Sequence, residues 1–330
     1  MFIWKLIIIC GILSFGLTWM VRSWAIRRAV LDHPNERSSH TIPTPRGGGV
    51  ALAISWFIGL IVLFWQNGIP SPLFLALLCG LPVSVIGLID DMMTITPRVR
   101  LLIQLAAATA AIFFLGGMQQ LDLGFTVISI PFVLSIAAVV GIVWFTNLFN
   151  FLDGIDGYIS LEVIFIGLAV YFLFGAALPL LMAAATLGFL LWNWQPAKIF
   201  MGDVGSTLLG FSVAVMAIYY QNVNLVSIPV TLILTSVFWF DATVTLFRRM
   251  LNKESLHLAH RKHAYQRIVL SGFSHQRTVI WAFVLNLIGM GLVILANKYT
   301  DYVCLFLVVD LVLPESTNAQ FSAISSAQFS

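Results

Sequence analysis

Residues 129–175, SIPFVLSIAAVVGIVWFTNLFNFLDGIDGYISLEVIFIGLAVYFLFG, contain the pattern on which the fold prediction rests. Two apolar runs, 129–146 and 158–175, flank a polar break that carries Asp153 and Asp156. A helix that crosses the bilayer core needs about 20 mostly apolar residues, and both runs approach that length. The stretch therefore predicts two membrane-spanning helices joined by an acidic loop.

The same pattern recurs along the 330-residue chain, in which 60% of residues are apolar, 9% are charged and the mean hydropathy is +0.97. Soluble domains contain roughly 45–50% apolar and 25% charged residues, so a soluble fold could not cover this much apolar surface. We predict an all-α polytopic membrane protein with about 10–11 transmembrane helices. The expected spans are 2–21, 48–66, 72–90, 99–117, 129–146, 158–175, 177–194, 205–220, 225–246, 278–296 and 300–313.

The distribution of positive charge predicts the orientation of these spans. With the N-terminus outside, 15 of the 17 Lys and Arg residues fall in cytoplasmic segments, as the positive-inside rule requires. The first span lacks a small-residue cleavage site, so we expect an uncleaved anchor. We predict one transmembrane domain over 1–314 and a polar, disordered tail over 315–330, and the run 300–313 is either a truncated helix or part of that terminus.

Charge and cysteine content exclude other classes of protein. The net charge of +3 is small and gives no indication of nucleic-acid binding. Cys10, Cys79 and Cys304 lie in apolar runs without metal-ligand spacing, so we predict neither a disulfide nor a zinc site.

Acidic residues collect at the predicted cytoplasmic ends of the spans. Asp90 and Asp91 end the third span, where the helix dipole disfavours them, so we expect a compensating cation. Asp153 and Asp156 are three residues apart, which on a helical turn would place both carboxylates on one face, suited to a hard cation or sugar hydroxyls. Asp203 precedes the eighth span. Capping of the following helix is the alternative for Asp153, Asp156 and Asp203.

Basic residues also collect on the predicted cytoplasmic side. The segment 257–267 contains three histidines beside Arg and Lys, which suit a pyrophosphate or lipid phosphate, although positive-inside topology explains part of this charge. Arg46 precedes three glycines whose backbone N–H groups could approach an anion. The basic cluster consists of His257, His260, Arg261, Lys262, His263 and Arg267.

Acids able to hold Mg²⁺ beside cations able to hold phosphates favour phosphoryl transfer between a soluble nucleotide and a lipid phosphate. A transporter is the alternative, because intramembrane carboxylates also mark ion pathways, and Glu162, Asp241 and Asp310 keep it open. A purely structural membrane protein leaves the acidic clusters unexplained.

Four motifs, GLIDDMMT, NLFNFLDGIDG, NWQPAKIFMGDVGS and TPRGGG, resemble in order and spacing the polyprenyl-phosphate N-acetylhexosamine-1-phosphate transferases. This glycosyltransferase family 4 includes the bacterial phospho-N-acetylmuramoyl-pentapeptide translocase. The resemblance covers roughly residues 1–296, and HRKHAYQR is most similar to the O-antigen-initiating branch.

The resemblance implies transfer of N-acetylhexosamine-1-phosphate from a UDP-sugar to undecaprenyl phosphate, with release of UMP, at the cytoplasmic face of the bacterial inner membrane. It implies Mg²⁺, for which Mn²⁺ could substitute, and it is compatible with a homodimer. Direct attack by the lipid phosphate and a two-step route through an aspartyl intermediate both fit the motifs.

The resemblance also implies roles for individual residues. The implied metal ligands are Asp203, Asp90 and Asp91, and the implied catalytic residues are Asp90, Asp91 and His263. The implied nucleotide-binding residues are Asn150, Asp153, Asp156, Asn193 and Phe200, with Phe200 stacked on uracil. The implied phosphate-binding residues are Arg261, His260 and Arg46. The chain departs from many relatives at Tyr265 and Gln266, where those relatives have two adjacent histidines.

Overall fold

The computed structural model describes residues 2–34, 42–93, 95–254 and 262–298. The described part is almost entirely helical, as predicted. Its helices are α1 (Phe2–Arg27), α2 (Gly49–Trp65), α3 (Ser71–Leu78), α4 (Gly80–Met92), α5 (Pro97–Phe114), α6 (Pro131–Leu152), α7 (Tyr158–Phe174), α8 (Leu178–Asn193), α9 (Asp203–Asn222), α10 (Ile228–Leu234), α11 (Ser236–Leu251), α12 (Ala264–Leu270) and α13 (His275–Lys298).

Two short antiparallel hairpins complete the described secondary structure. β1 (Leu31–Asp32) pairs with β2 (Thr44–Pro45), so that Leu31 lies opposite Pro45. β3 (Leu121–Asp122) pairs with β4 (Val127–Ile128). The first hairpin leads directly into Arg46 and α2, and the second connects α5 to α6.

The first ten predicted spans coincide with these helices. In the described part of the chain, six helical segments are long and apolar enough to cross a membrane, with α3 and α4 counted as one segment, and α10 with α11 makes a seventh if that pair is one span. Three further apolar helices, α2, α7 and α8, are shorter. The predicted span 300–313 and the predicted tail 315–330 lie outside the described residues.

Two predicted spans are each divided into two helices. The third span consists of α3 and α4, which meet at Cys79. The ninth predicted span, 225–246, is a pair of helices, α10 and α11, that meet at an angle of 87°. Sequence alone predicted one straight helix there, because its apolar pattern continues through the bend at Thr235.

Helix α9 forms the centre of the bundle, and 89% of the residues in its apolar stretch are buried. It packs against α2, α4 and α6, whereas α8 packs between α1 and α7. Glycines allow the close approach at its N-terminal end, since a Cβ on Gly87 of α4 would lie 2.8 Å from the carbonyl carbon of Asp203. A Cβ on Gly49 of α2 would overlap the backbone of Gly205. Small residues thus bring the ends of α2 and α4 to the start of α9.

Candidate active site

Three aspartates meet where α4 ends and α9 begins, and we call Asp90, Asp91 and Asp203 the carboxylate cluster. Arg46, from the loop after β2, joins two of them: its Nη2 lies 2.7 Å from Asp91 Oδ1 and 3.0 Å from Asp203 Oδ1. Arg46 is separated from Asp203 by 157 positions in the sequence. The two carboxylates are mostly buried while the Arg46 side chain is 37% exposed, so these charge-assisted contacts join three chain segments from the edge of the site.

Arg100 joins the other side of the carboxylate cluster. Its Nη1 lies 2.6 Å from Asp90 Oδ2 and 3.4 Å from Asp203 Oδ2. The cation expected beside the Asp90–Asp91 pair is therefore present as two arginines. The sequence analysis did not single out Arg100, although a basic residue in the first turn of α5 is unfavourable for the helix dipole and could have indicated it.

The backbone at Gly202 places Asp203. Gly202 has φ +76°, a conformation that side-chain-bearing residues rarely adopt, and a Cβ there would overlap the Asp91 carboxylate. The N–H of Asp203 donates a hydrogen bond to Asp91 Oδ1 at 3.1 Å. Asp203 is the first residue of α9 and Gly202 precedes it, so the alternative that Asp203 caps the helix is wrong. Its side chain instead reaches both arginines.

The second acidic group lies in the turn between α6 and α7, which we call the acidic loop (residues 153–157). This segment is a series of turns rather than a helical turn, so Asp153 and Asp156 do not share a helix face. Nor does either aspartate cap α7, because Gly157, with φ +76°, precedes that helix. Asp156 Oδ2 accepts a hydrogen bond from the N–H of Ala197 at 3.1 Å.

His275, at the start of α13, also holds the acidic loop. The N–H of Asp156 donates to its Nδ1 at 3.3 Å, and Asp156 Oδ1 lies 3.5 Å from the same nitrogen. His275 was not predicted as a site residue, since a lone histidine 119 positions away carries no local signal of this contact.

Asp153 lies close enough to the carboxylate cluster for its charge to interact with those of Asp91 and Asp203. Burial, together with the charges of Asp203, Asp91 and Asp156, raises the pKa of its carboxyl to about 7, and Arg46 opposes this rise. The carboxyl therefore ionises near neutral pH. Four neighbouring carboxyls face two arginines, an imbalance that favours binding of a further cation.

The predicted nucleotide-binding amides occupy supporting positions. Asn193 is buried, and its Oδ1 accepts a hydrogen bond from the N–H of Gly157 at 2.9 Å while its Nδ2 donates to the carbonyl of Ile199 at 3.0 Å. In this arrangement Asn193 holds two loops together through one bond to its oxygen and one from its nitrogen, and its binding to a nucleotide stays a prediction. Asn150 Nδ2 donates to Ser206 Oγ in the first turn of α9 at 3.2 Å.

Phe200 lies beside the Arg46 loop. Its N–H donates to the carbonyl of Pro45 at 2.8 Å, and its own carbonyl accepts from the N–H of Gly48 at 2.9 Å. The N–H of Gly49 donates to the carbonyl of Met201 at 2.8 Å. The N–H groups of Gly48 and Gly49 are therefore engaged within the protein and are not available to an anion in this arrangement.

His263 precedes α12 and is buried. Its Nδ1 lies 3.7 Å from Asp241 Oδ1 on α11, and its ring stacks on Tyr265 at a centroid distance of 5.9 Å. Tyr265 in turn contacts the segment that leads into the acidic loop. His263 is thus joined to the site through Tyr265. His257, His260 and Arg261 lie outside the described residues.

Comparison with known proteins identifies the family. The profile of Glycosyl transferase family 4 matches residues 73–221. A probable undecaprenyl-phosphate N-acetylglucosaminyl 1-phosphate transferase of Bacillus subtilis is 30% identical over 336 residues, which cover 95% of this chain and 90% of that protein. The chain belongs to glycosyl transferase family 4.

Other relatives fall in the same family. An undecaprenyl-phosphate alpha-N-acetylglucosaminyl 1-phosphate transferase of Thermotoga maritima is 28% identical, covering 85% of this chain and 88% of that protein. A phospho-N-acetylmuramoyl-pentapeptide-transferase of Staphylococcus haemolyticus is 31% identical, and the match covers 75% of this chain and 84% of that protein. The resemblance stated from the motifs is confirmed at the family level. The O-antigen branch stays a prediction, because none of these three names refers to O-antigen.

Membership of this family favours the transferase interpretation over the transporter, and the isolated membrane carboxyls agree with it. Glu162 on α7 accepts a hydrogen bond from Asn286 Nδ2 on α13, so it forms a contact between two helices. Asp241 Oδ1 accepts from Thr245 Oγ1 at 3.1 Å and from the N–H of Ala264 at 2.8 Å. Both acids connect structural elements. Asp310 lies outside the described residues.

The fit of a metal ion to this family 4 site can be assessed from its donor atoms. Within residues 2–34, 42–93, 95–254 and 262–298, no group of three His, Cys, Asp or Glu side chains could hold a metal ion by itself. Mg²⁺, however, usually takes one or two carboxylates, with water and substrate phosphates completing its shell. Asp91 Oδ2 is buried and makes no hydrogen bond to the described residues. The donor set therefore fits a magnesium ion that arrives with a diphosphate.

Proposed function

We propose that this family 4 transferase moves N-acetylhexosamine-1-phosphate from a UDP-sugar to undecaprenyl phosphate and releases UMP. The observation that carries the proposal is the carboxylate cluster, in which Asp90, Asp91 and Asp203 meet Arg46 and Arg100 from distant segments. The names of the relatives, which specify polyprenyl phosphates and N-acetylglucosamine 1-phosphate, support the substrate class.

The reaction couples two anionic substrates, so charge control dominates the chemistry. An oxygen of the lipid phosphate forms a bond to the β-phosphorus of the donor, the bond from that phosphorus to the bridging oxygen breaks, and UMP leaves with the electron pair. Phosphoryl transfer of this kind depends mainly on positioning and electrostatic stabilisation. A phosphate monoester is already largely dianionic at neutral pH, so positioning rather than deprotonation is the main task for Asp90 and Asp91.

The protein's own side chains divide this work. Arg46 and Arg100 fix the carboxylate cluster and lower the repulsion between its charges and incoming phosphates. Asp203, Asp90 and Asp91 would hold Mg²⁺, which when bound neutralises charge on the diphosphate. Asp153, Asp156 and Phe200 would contact the nucleotide, and His260, Arg261 and His263 the pyrophosphate.

The multi-span fold supports placement in a membrane, and the proposed compartment is the bacterial inner membrane with the site facing the cytoplasm. Most basic loop residues lie on the same predicted side as the carboxylate cluster, which is the arrangement that the positive-inside rule produces. We propose a role in cell-envelope glycan synthesis, with O-antigen initiation as one branch of that role.

A membrane assay tests the reaction and the metal together. Purified protein in detergent is incubated with undecaprenyl phosphate and a panel of UDP-N-acetylhexosamines, and UMP release is measured with Mg²⁺ or with excess EDTA. We expect UMP release with at least one donor, dependence on the lipid acceptor, and loss of activity in EDTA that Mg²⁺ restores. Release of no UMP from any donor, or full activity in EDTA, would contradict the reaction or the metal, respectively.

Phe200→Ala tests the nucleotide contact. Stacking of a base on an aromatic ring contributes about 1–3 kcal/mol, so we expect UMP to bind about tenfold more weakly while lipid binding changes less. Phe125→Ala is the matched control, because Phe125 is exposed in the β3–β4 hairpin on the opposite side of the predicted membrane. Calorimetry with UMP measures the effect, and equal UMP affinity in both variants would exclude stacking by Phe200.

A further inference from the structure

The hydroxyl of Tyr265 contacts the end of helix α6. It donates a hydrogen bond to the carbonyl of Phe151 at 3.2 Å. Because α6 ends at Leu152, this carbonyl is one of the last four of the helix, which lack partners within the helix itself. Tyr265 therefore closes the end of α6 from a segment that lies 114 positions later in the sequence. The acidic loop begins at the next turn.

Gly154 in the acidic loop makes room for this contact. A Cβ at position 154 would overlap the Tyr265 hydroxyl oxygen and lie 3.0 Å from its ring carbon Cζ. Tyr265 could not easily move aside, because it is 3% exposed and packs on Tyr158 at a centroid distance of 5.2 Å. The loop and the tyrosine ring are thus fitted closely to each other.

The segment that carries Tyr265 is itself held by the bent helix α11. Asp241 Oδ1 accepts a hydrogen bond from the N–H of Ala264, the residue before Tyr265. Tyr158 continues the aromatic packing to Phe238 of α11 at a centroid distance of 4.7 Å. The Tyr265 ring is therefore anchored on one side to α11 and on the other to the end of α6.

We propose that Tyr265 is a positioning residue for the donor nucleotide: its hydroxyl caps α6 and holds the acidic loop in the geometry that binds the UDP-sugar. The inference rests on the proposed function, which assigns nucleotide contacts to Asp153 and Asp156. Tyr265 acts through the loop and need not touch the nucleotide. Burial, together with the charges of Asp241 and Asp153, raises the pKa of the phenol above its ordinary value, so the hydroxyl remains a donor at neutral pH.

Tyr265→Phe is the direct test, because it removes only the hydroxyl and keeps the ring and its packing. Loss of one hydrogen bond to a helix-end carbonyl loosens the acidic loop, so we expect the KM for the UDP-sugar to rise about 5- to 10-fold. The kcat should stay within about twofold, because the carboxylate cluster is untouched. Tyr220→Phe is the matched control, since Tyr220 is buried near the opposite end of α9 and should leave both constants unchanged.

A second variant separates positioning from general stability. Gly154→Ala should raise the KM for the donor more than tenfold, because the added methyl group displaces the loop from Tyr265. In the double variant with Tyr265→Phe, the KM for the donor should be at least threefold lower than in Gly154→Ala alone, since the closest overlap is with the hydroxyl oxygen. A merely destabilising effect would instead make the double variant worse than either single variant.

The outcomes distinguish the inference from the proposed function. If the wild-type protein releases no UMP from any donor, the proposed function fails. If the wild type is active and Tyr265→Phe has the wild-type KM, or lowers kcat alone, the positioning role of Tyr265 is wrong and the function stands. A selective rise in the KM with recovery in the double variant supports the inference.

Discussion

Asp203→Asn is expected to abolish turnover while the protein still folds and inserts. Asp203 is the only member of the carboxylate cluster that contacts both Arg46 and Arg100 in the described residues. The amide keeps the size and one acceptor oxygen but removes the charge that both arginines face. Loss of one preorganised electrostatic group at a reacting centre lowers kcat about 10²- to 10³-fold, and loss of a proposed Mg²⁺ ligand would add to this.

The measurement is UMP release by protein that elutes as a single species in detergent and retains the wild-type unfolding temperature within a few degrees. Asp122→Asn is the control, because Asp122 lies in the β3–β4 hairpin and its Oδ1 accepts a hydrogen bond from the N–H of Gly124, which an amide oxygen can replace. Activity of Asp203→Asn within tenfold of the wild type would remove Asp203 from the reacting centre.

Arg100→Gln should lower kcat about 100-fold, and Arg98→Gln should leave it unchanged. Both arginines lie in the first turn of α5, but Arg98 is exposed, whereas Arg100 contacts Asp90 and Asp203. Without Arg100, the two carboxylates face each other with less compensation, and removal of one partner of a shielded charge pair is strongly unfavourable. The pair of variants therefore compares the same chemical change with and without the site contact.

Arg100→Lys gives the prediction a graded outcome. A single nitrogen, Nη1, makes both contacts of Arg100, so a lysine ammonium can replace part of the interaction. In the same UMP-release assay, we expect the kcat of Arg100→Lys to be about tenfold higher than the kcat of Arg100→Gln. Equal loss in the Arg98 and Arg100 glutamine variants would show instead that only the overall charge of the loop matters.

Sequence reasoning predicted the helices well because their signal is local. An apolar run of about 20 residues predicts a span without knowledge of its neighbours, and the first ten expected spans coincide with helices. The 87° bend between α10 and α11 was missed, because both arms are apolar and no proline interrupts the run at Thr235. A bend of this kind depends on what the helix packs against.

The acidic residues of the site could also be proposed from sequence. Carboxylates at the ends of membrane helices are energetically costly, so their presence indicates a functional site. The residues that pair with these acids could not be proposed from sequence. Arg100 belongs to no recognisable motif, His275 is a single histidine at the start of a helix, and the contacts by which Asn193 joins two loops have no local sequence signal. These contacts join residues that are far apart in sequence.

Local sequence patterns were thus sufficient to predict a bundle of membrane helices, to place its acids at helix ends on one predicted side, and to indicate which family the motifs resemble. These properties follow from hydrophobicity, charge and spacing within short segments. Three features became visible only in the folded chain: the cations that pair with Asp90, Asp91 and Asp203, the non-helical acidic loop, and the contact of Tyr265 with the end of α6. Such pairings depend on how closely α2, α4 and α9 approach through their glycines, and that approach is a property of the packed bundle rather than of any one segment.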